Sequence, residues 1–178
     1  MKKALIITWD GFQDQEVIYP YYRLQEAGFQ VTISGASGKS EVVGLFGTKF
    51  KCIGDTMILS PDYYDLLVLP GGVKALEKVR QSEPVLSFIR AWPKTKVISS
   101  ICHGAQLLIS CGKVKDEEVS GYYSIKDDII NAGGRYNPNP VVSSNIVSGA
   151  HYKDMPEWME KTLQTASNYQ TMYSNEGL

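Results

Sequence analysis

A cysteine and a histidine stand side by side in the stretch 101-ICHGAQLLIS-110. The β-branched run before them predicts a buried strand, and the apolar spacing after Gly104 predicts a helix. A thiol at such a strand-to-helix turn lies near backbone N–H groups that favour the thiolate, the nucleophilic form of cysteine. Cys102 is therefore a candidate nucleophile, in a turn that has the geometry of a nucleophile elbow. A buried structural cysteine is the competing interpretation.

Other residues could complete a site around this thiol. Beside the apolar stripe of the first predicted helix lies Glu16, where burial would favour a neutral carboxyl that donates a hydrogen bond to a thiolate. An ordinary acid at a helix start is the alternative. Gly71 and Gly72 end another predicted strand and form either an oxyanion hole with exposed N–H groups or a plain turn. His103 is either a base or a histidine paired with solvent or a backbone carbonyl.

The elements that position these residues alternate along the chain. Apolar runs predict buried strands at 3–9, 29–34, 65–69 and 96–101, and helical patterns separate them. This alternation indicates a mostly parallel sheet, and ligands of such sheets bind beyond the carboxyl ends of the strands. Three predicted strand ends carry unusual residues: WDGFQDQE after the first, PGG after the third and CHG after the fourth.

The remaining pattern is less regular. Residues 42–53 predict a hairpin or an irregular excursion, and two short strands are expected around 140–148. Helices are predicted at about 17–28, 73–80, 83–92, 104–111, 122–132 and 156–169. We expect a single domain over residues 1–170, followed by a polar tail over residues 171–178.

Composition narrows the choice of partners and compartment. The net charge is −1, and no basic run marks a nucleic-acid or membrane surface. The three cysteines form no CxxC pair, which is typical of free thiols in a reducing cytoplasm. Two histidines and no clustered cysteines make a poor metal-ligand set, and no GxGxxG follows the first strand. We expect a cytoplasmic protein without a metal or cofactor.

The chain resembles the PfpI branch of the ThiJ/PfpI superfamily over nearly its whole length. The matching segments are 14-DQEVIYPYYRLQEAG-28, 66-LLVLPGG-72, 77-EKVR-80, 101-ICHGAQLLIS-110 and 126-KDDIINAG-133. The resemblance implies an α/β fold, a flavodoxin-like three-layer sandwich close to the class I glutamine amidotransferase domains.

The resemblance also implies roles for individual residues. Cys102 matches the nucleophile of the elbow, and Glu16 matches the acid that hydrogen-bonds its sulfur. Gly72 and the backbone of His103 match the oxyanion-hole positions. Glu77 matches an acid that reaches His103 across a subunit interface, which implies a homodimer or a higher homo-oligomer.

Two segments depart from the family pattern. Tyr122 begins the run Tyr-Tyr-Ser where Tyr-Pro is usual, and Ala150 occupies the place of a common arginine. Both segments are expected near the pocket mouth, with Tyr122 contacting substrate. We interpret His151 as a surface loop histidine, with replacement of the lost cationic contact as the alternative.

These residues predict a cysteine-dependent enzyme that acts on a small carbonyl or acyl compound or on a short peptide. Relatives in the resembled family have been described as peptidases, as glyoxalases or deglycases, and as hydratases, and the resemblance does not choose among them. A redox or stress-responsive protein whose Cys102 is oxidised is the alternative. An amidotransferase glutaminase fits poorly, because Glu157 lies six residues after the late histidine rather than two.

Overall fold

A six-stranded sheet forms the centre of the computed structural model, which describes residues 1–35, 38–58 and 60–174. The strands of the protein are β1 (Lys2–Ile7), β2 (Phe29–Ser34), β3 (Glu41–Val43), β4 (Lys49–Lys51), β5 (Leu66–Leu69), β6 (Val97–Ile101), β7 (Glu118–Val119), β8 (Arg135–Tyr136), β9 (Val141–Ser143) and β10 (Ile146–Gly149). The order in the central sheet is β2-β1-β5-β6-β10-β9, and only β9 runs antiparallel to its neighbour.

Helices cover both faces of this sheet. They are α1 (Asp14–Glu26), α2 (Val73–Val79), α3 (Glu83–Arg90), α4 (Ala105–Ser110), α5 (Lys126–Asn131) and α6 (Met155–Ser174). On one face α1 contacts α6, and on the other α3 contacts α4. Because both faces are covered, β5 and β6 are buried along their whole length, as their continuous apolar sequence predicts. The predicted three-layer α/β sandwich with a mostly parallel sheet is confirmed.

Element boundaries differ from the prediction where local signals are weak. The excursion at 42–53 is a hairpin, because β3 and β4 pair antiparallel. The helix predicted over 122–132 is shorter, since a 3-10 turn at Tyr123–Ile125 precedes α5. The last helix is longer and continues to Ser174, so the first residues of the expected tail are helical. Residues 175–178 of that tail lie outside the described residues.

The parallel pairing decides which loops meet. Leu69 of β5 is in register with Ser100 of β6, and Gly149 of β10 is in register with Ile101 of β6. Beyond these residues the chain continues as the Gly71-Gly72 turn, the Cys102 turn and the segment that contains His151. Together with the loop after β1, four neighbouring strands end at one edge of the sheet.

No helix among residues 1–35, 38–58 and 60–174 is both long and apolar enough to span a membrane.

Candidate active site

Cys102 occupies the turn between β6 and α4 in an unusual backbone conformation. Its φ is +58°, in the left-handed region that residues with a side chain seldom adopt. Residues Cys102–Gly104 form a single 3-10 turn. Gly104 makes this turn possible, because a Cβ at that position would collide with the carbonyl oxygen of Leu69 on the neighbouring strand. The predicted strand-to-helix elbow is therefore present, and strain of this kind is often found at functional sites.

The sulfur of Cys102 lies between two backbone donors and one acid. The N–H groups of His103 and Gly72 hydrogen-bond to it, and so does the carboxyl group of Glu16. A Cβ on Gly71 would lie 2.4 Å from Oε2 of Glu16 and 3.1 Å from Sγ of Cys102. Glycine at 71 is therefore what lets the acid and the thiol come together.

Gly71 holds the acid instead of facing a substrate. Its N–H donates a hydrogen bond of 2.7 Å to Oε2 of Glu16. This differs from the predicted place of Gly71 in an oxyanion hole, since the donor is already used by a buried carboxyl. The N–H of Gly72, where φ is +105°, is directed at the sulfur region instead.

Burial sets the protonation of the acid and the thiol. Glu16 is fully buried, and this raises its pKa to about 7 against the hydrogen bonds from Gly71 and Cys102. Burial also raises the pKa of the Cys102 thiol, the charge of Glu16 raises it further, and the two backbone N–H groups oppose the shift. The sequence predicted a lowered thiol pKa from the turn alone, and the structure adds a desolvation cost that outweighs it.

The acid and the thiol therefore titrate as a pair. Below pH 7 both keep their protons, and above it the pair holds one proton and one negative charge. Oε1 of Glu16 is buried and has no hydrogen-bond partner among the described residues. A proton on that oxygen could be shared only with a group that enters the cavity or with the neighbouring sulfur.

His103 turns toward the thiol, not away from it. Its Nδ1 lies 3.4 Å from Sγ of Cys102, and its Nε2 lies 3.4 Å from Oγ of Ser124. Its ring stacks on Tyr122 with the ring centres 4.8 Å apart. Burial lowers the pKa of His103, so the imidazole is neutral at pH 7 and able to accept a proton.

A cavity of about 530 Å³ opens above the sulfur. Glu16, His103 and Tyr122 line it together with Cys102. The full set of lining residues is Gly11, Gln13, Glu16, Leu45, Gly72, Val73, Lys74, Cys102, His103, Tyr122, His151 and Tyr152. Apolar and aromatic side chains form much of its wall, and Glu16, His103 and the N–H of Gly72 lie beside the sulfur. This is the composition expected of a small-molecule site.

His151 belongs to this cavity, which corrects its interpretation as a surface loop histidine. Its ring stacks on Tyr122 at 6.0 Å and packs on Tyr152 at 4.0 Å. Its Nδ1 accepts a hydrogen bond of 3.2 Å from the N–H of Lys153. The signal in the sequence that locates His151 is its place two residues after β10, which ends at the same edge of the sheet as the elbow.

Asp14 fixes the β3–β4 hairpin, whose tip forms part of the cavity wall. The carboxylate of Asp14 accepts hydrogen bonds from the N–H groups of Phe46 and Thr48. Burial raises the pKa of Asp14, but these bonds outweigh it and the net pKa is lowered. The hairpin tip is thereby fixed with Leu45 against the cavity. The sequence contained no short-range signal for this contact, which joins residues more than thirty positions apart.

Within a single chain, Glu77 does not lie at the cavity that contains Cys102. It is exposed on α2, and the cavity lining does not include it. The role across a subunit interface that the family resemblance implies for this residue therefore stays a prediction. The described part of the chain contains no group of three His, Cys, Asp or Glu side chains arranged to hold a metal ion.

The fold and the site define a class of protein. It is a flavodoxin-like α/β sandwich in which a cysteine, on an elbow at the carboxyl edge of the sheet, is paired with a buried acid. The chain belongs to the DJ-1/PfpI family, whose model matches residues 2–165.

Relatives within this family are similar over most of the chain. The chain is 38% identical over 161 residues to Deglycase PfpI of Pyrococcus furiosus, covering 89% of this chain and 96% of that protein. A two-domain protein of Anabaena variabilis, with DJ-1/ThiJ/PfpI-like and ferritin-like domains, is 27% identical with a TM-score of 0.86. The match covers 92% of this chain and 48% of that one, so this chain spans about half its length.

The fold extends to more distant proteins. DJ-1 of Schizosaccharomyces pombe superposes with a TM-score of 0.83 at 18% identity, and 99% of each chain is covered. At this identity the likeness concerns the fold alone.

Proposed function

We propose that this protein is a cysteine-dependent enzyme of the glyoxalase or deglycase type, acting on small 2-oxoaldehydes or their adducts. The observation that carries the proposal is the surrounding of Sγ of Cys102: two backbone N–H donors, a buried acid with a pKa of about 7 and an open cavity above. A relative 38% identical to this chain is named a deglycase, which supports the same class of substrate.

The pair of Cys102 and Glu16 supplies the nucleophile. Above pH 7 the pair carries one negative charge, and its remaining proton passes from sulfur to the Glu16 carboxylate as the sulfur attacks. A general base is most effective when its pKa lies near the working pH, and the raised pKa of Glu16 meets that requirement. The carbonyl oxygen of the substrate then gains charge beside the N–H groups of Gly72 and His103.

The reaction with methylglyoxal balances without an external oxidant. The sulfur adds to the aldehyde carbon, the aldehyde oxygen takes a proton, and a hemithioacetal forms. The hydrogen on that carbon leaves as a proton to His103 while the ketone oxygen gains a proton, which gives an enediol. A proton is then returned to the former ketone carbon and the hydroxyl on the sulfur-bearing carbon loses its proton, which yields a thioester of a 2-hydroxy acid. Water then cleaves the C–S bond and releases lactate and the thiol. The aldehyde carbon is oxidised and the ketone carbon is reduced within one molecule.

The shape of the site favours small substrates over proteins. Cys102 is only 8% exposed, and it lies at the bottom of a cavity of about 530 Å³. A folded polypeptide cannot bring a peptide bond to that sulfur without rearrangement, whereas a molecule of a few carbon atoms can. A peptidase activity would accordingly be confined to short peptides.

Substrate turnover by single-cysteine variants tests the proposal. Wild-type protein should convert methylglyoxal to lactate, and Cys102→Ser should lower the rate by about a thousandfold or more. Cys52→Ser and Cys111→Ser are matched controls that should keep the activity, since neither sulfur lines the cavity. Turnover that persists in Cys102→Ser would contradict the proposal.

The same samples test the redox alternative. A protein that senses oxidants would turn over none of the substrates, while Cys102 would gain the mass of two oxygen atoms at low peroxide. Oε1 of Glu16, which has no hydrogen-bond partner in the part of the chain that the structure describes, gives this alternative a physical basis, because a neutral carboxyl there could donate to an oxidised sulfur.

A further inference from the structure

Lys74 places a positive charge at the mouth of the cavity. It lies in the first turn of α2, it is exposed, and it lines the same cavity as Cys102. Its aliphatic stem packs over Gly11: a Cβ on that glycine would lie only 2.7 to 2.9 Å from three carbon atoms of the lysine. Because Gly11 has no side chain, the stem can lie flat there and hold the ammonium group near the opening.

The ammonium group of Lys74 has no close partner among the described residues. No hydrogen bond or ion pair within 4 Å is formed by its Nζ there, and its charge acts on Asp10 only at longer range. Asp10 is already engaged, since its carboxylate pairs with Lys39 and accepts the N–H of Val43. The charge of Lys74 is therefore available to a ligand.

Few other charged side chains line the cavity. Of the described lining residues, Lys74 is the only lysine or arginine, and Glu16 is the only acid. Glu16 is fully buried beside the sulfur. Leu45 and Val73 line the same cavity and carry no charge that would compete with the ammonium group for a ligand.

The chain also limits how far this charge is from the reacting carbonyl. Lys74 is two residues after Gly72, whose N–H faces the sulfur, so their Cα atoms are no more than about 7 Å apart. A carboxylate a few bonds from a carbonyl held at Cys102 can therefore reach the ammonium group.

We propose that Lys74 is a specificity-determining residue that binds a carboxylate, so that the preferred substrates are carbonyl compounds bearing one. This inference rests on the proposed function for its substrates, but the charge preference of the cavity is testable without any turnover. The test compares anionic with neutral compounds of the same size.

Alkylation of Cys102 by a matched pair of reagents is the first test. Iodoacetate and iodoacetamide differ mainly in charge, and their rates at Cys102 are measured by mass spectrometry of the labelled peptide. The ratio of iodoacetate to iodoacetamide rates should fall by about three- to tenfold in Lys74→Met, because one ionic interaction in the cavity is lost. Lys74→Arg should retain the ratio, and Lys78→Met is the control, because Lys78 is an exposed lysine of the same helix that is not among the residues lining the cavity. A ratio unchanged in Lys74→Met would overturn the proposal.

A matched pair of substrates separates this inference from the proposed function. The two compounds are 4-carboxyphenylglyoxal and its methyl ester. The wild type should have the higher kcat/KM for the carboxylate, mainly through a lower KM, and the ratio should approach one in Lys74→Met. Equal kcat/KM values in the wild type would overturn the carboxylate preference. If neither compound is turned over while the alkylation ratio falls as expected, the proposed function fails and the carboxylate site stands.

Discussion

At the scale of single residues, the central feature is one proton shared by two buried acids. Cys102 and Glu16 are 86 residues apart in sequence, and the charge of Glu16 raises the pKa of the Cys102 thiol. The sequence suggested a thiolate favoured by its turn. The structure adds burial, and the first ionisation then belongs to the pair, near pH 7.

The pH dependence of Cys102 alkylation tests this sharing. In the wild type the rate should rise with pH around a midpoint near 7, because the pair gains its negative charge there. In Glu16→Gln the midpoint should move up by about two pH units or more, since the buried thiol must then ionise alone. Iodoacetamide labelling, resolved by mass spectrometry, gives the rate at each cysteine.

The other two cysteines are internal references in the same experiment. Burial raises the pKa of Cys111 to about 11 and that of Cys52 above its ordinary value. Both should therefore react slowly at pH 7 in every variant. Equal rates at all three cysteines, or an unchanged midpoint in Glu16→Gln, would remove the case for a shared proton.

At the scale of elements, the elbow depends on close contact between β5 and the turn before α4. The carbonyl group of Leu69 occupies the space in which residue 104 would carry a side chain. Backbone atoms cannot yield as a flexible side chain can, so this contact fixes both the turn and the position of Cys102.

Gly104→Ala should strongly destabilise the protein. Its Cβ would lie 1.9 Å from the oxygen of Leu69, and separating β5 from the turn should cost about 3 kcal/mol or more in the free energy of unfolding. Urea unfolding followed by circular dichroism measures this change. Gly38→Ala is the matched control, because a Cβ there meets no atom of the described residues within 4 Å and should change stability by less than about 0.5 kcal/mol. Similar stabilities for the two variants would show that the contact is not tight.

At the scale of the whole molecule, the surface around the mouth of the site is unusually apolar. Leu45, Phe46, Val73 and Tyr123 are each more than half exposed. Exposed apolar groups that cluster at one place commonly mark a contact surface. This accords with the expectation of a homo-oligomer, which the family resemblance implies and in which Glu77 of one subunit would meet His103 of another.

Glu77→Gln tests that expectation. If the acid pairs with His103 between subunits, the substitution should lower kcat by about tenfold or shift the assembly toward smaller species. Sedimentation equilibrium and kcat are measured on the same preparation. The adjacent Lys78→Gln, equally exposed on α2, should affect neither. A wild-type protein that is monomeric and fully active would exclude the role for Glu77.

Much of the architecture could be predicted from the sequence because its signals are local. The period of apolar residues located β1, β2, β5 and β6, and a β-branched run followed by Cys-His-Gly located the elbow. The parallel sheet then implied that the ends of these strands meet. Each of these inferences uses residues that are close together in the chain.

Only the tertiary structure decided the protonation of the Cys102–Glu16 pair and the residues that complete the cavity around it. The N–H of Gly71 reaches Glu16 over 55 residues, and the pairing of β10 with β6 brings His151 beside the elbow. Desolvation of Cys102 likewise depends on everything packed around it. Periodicity and turn chemistry are properties of short segments, whereas burial and pairing arise only when distant segments meet.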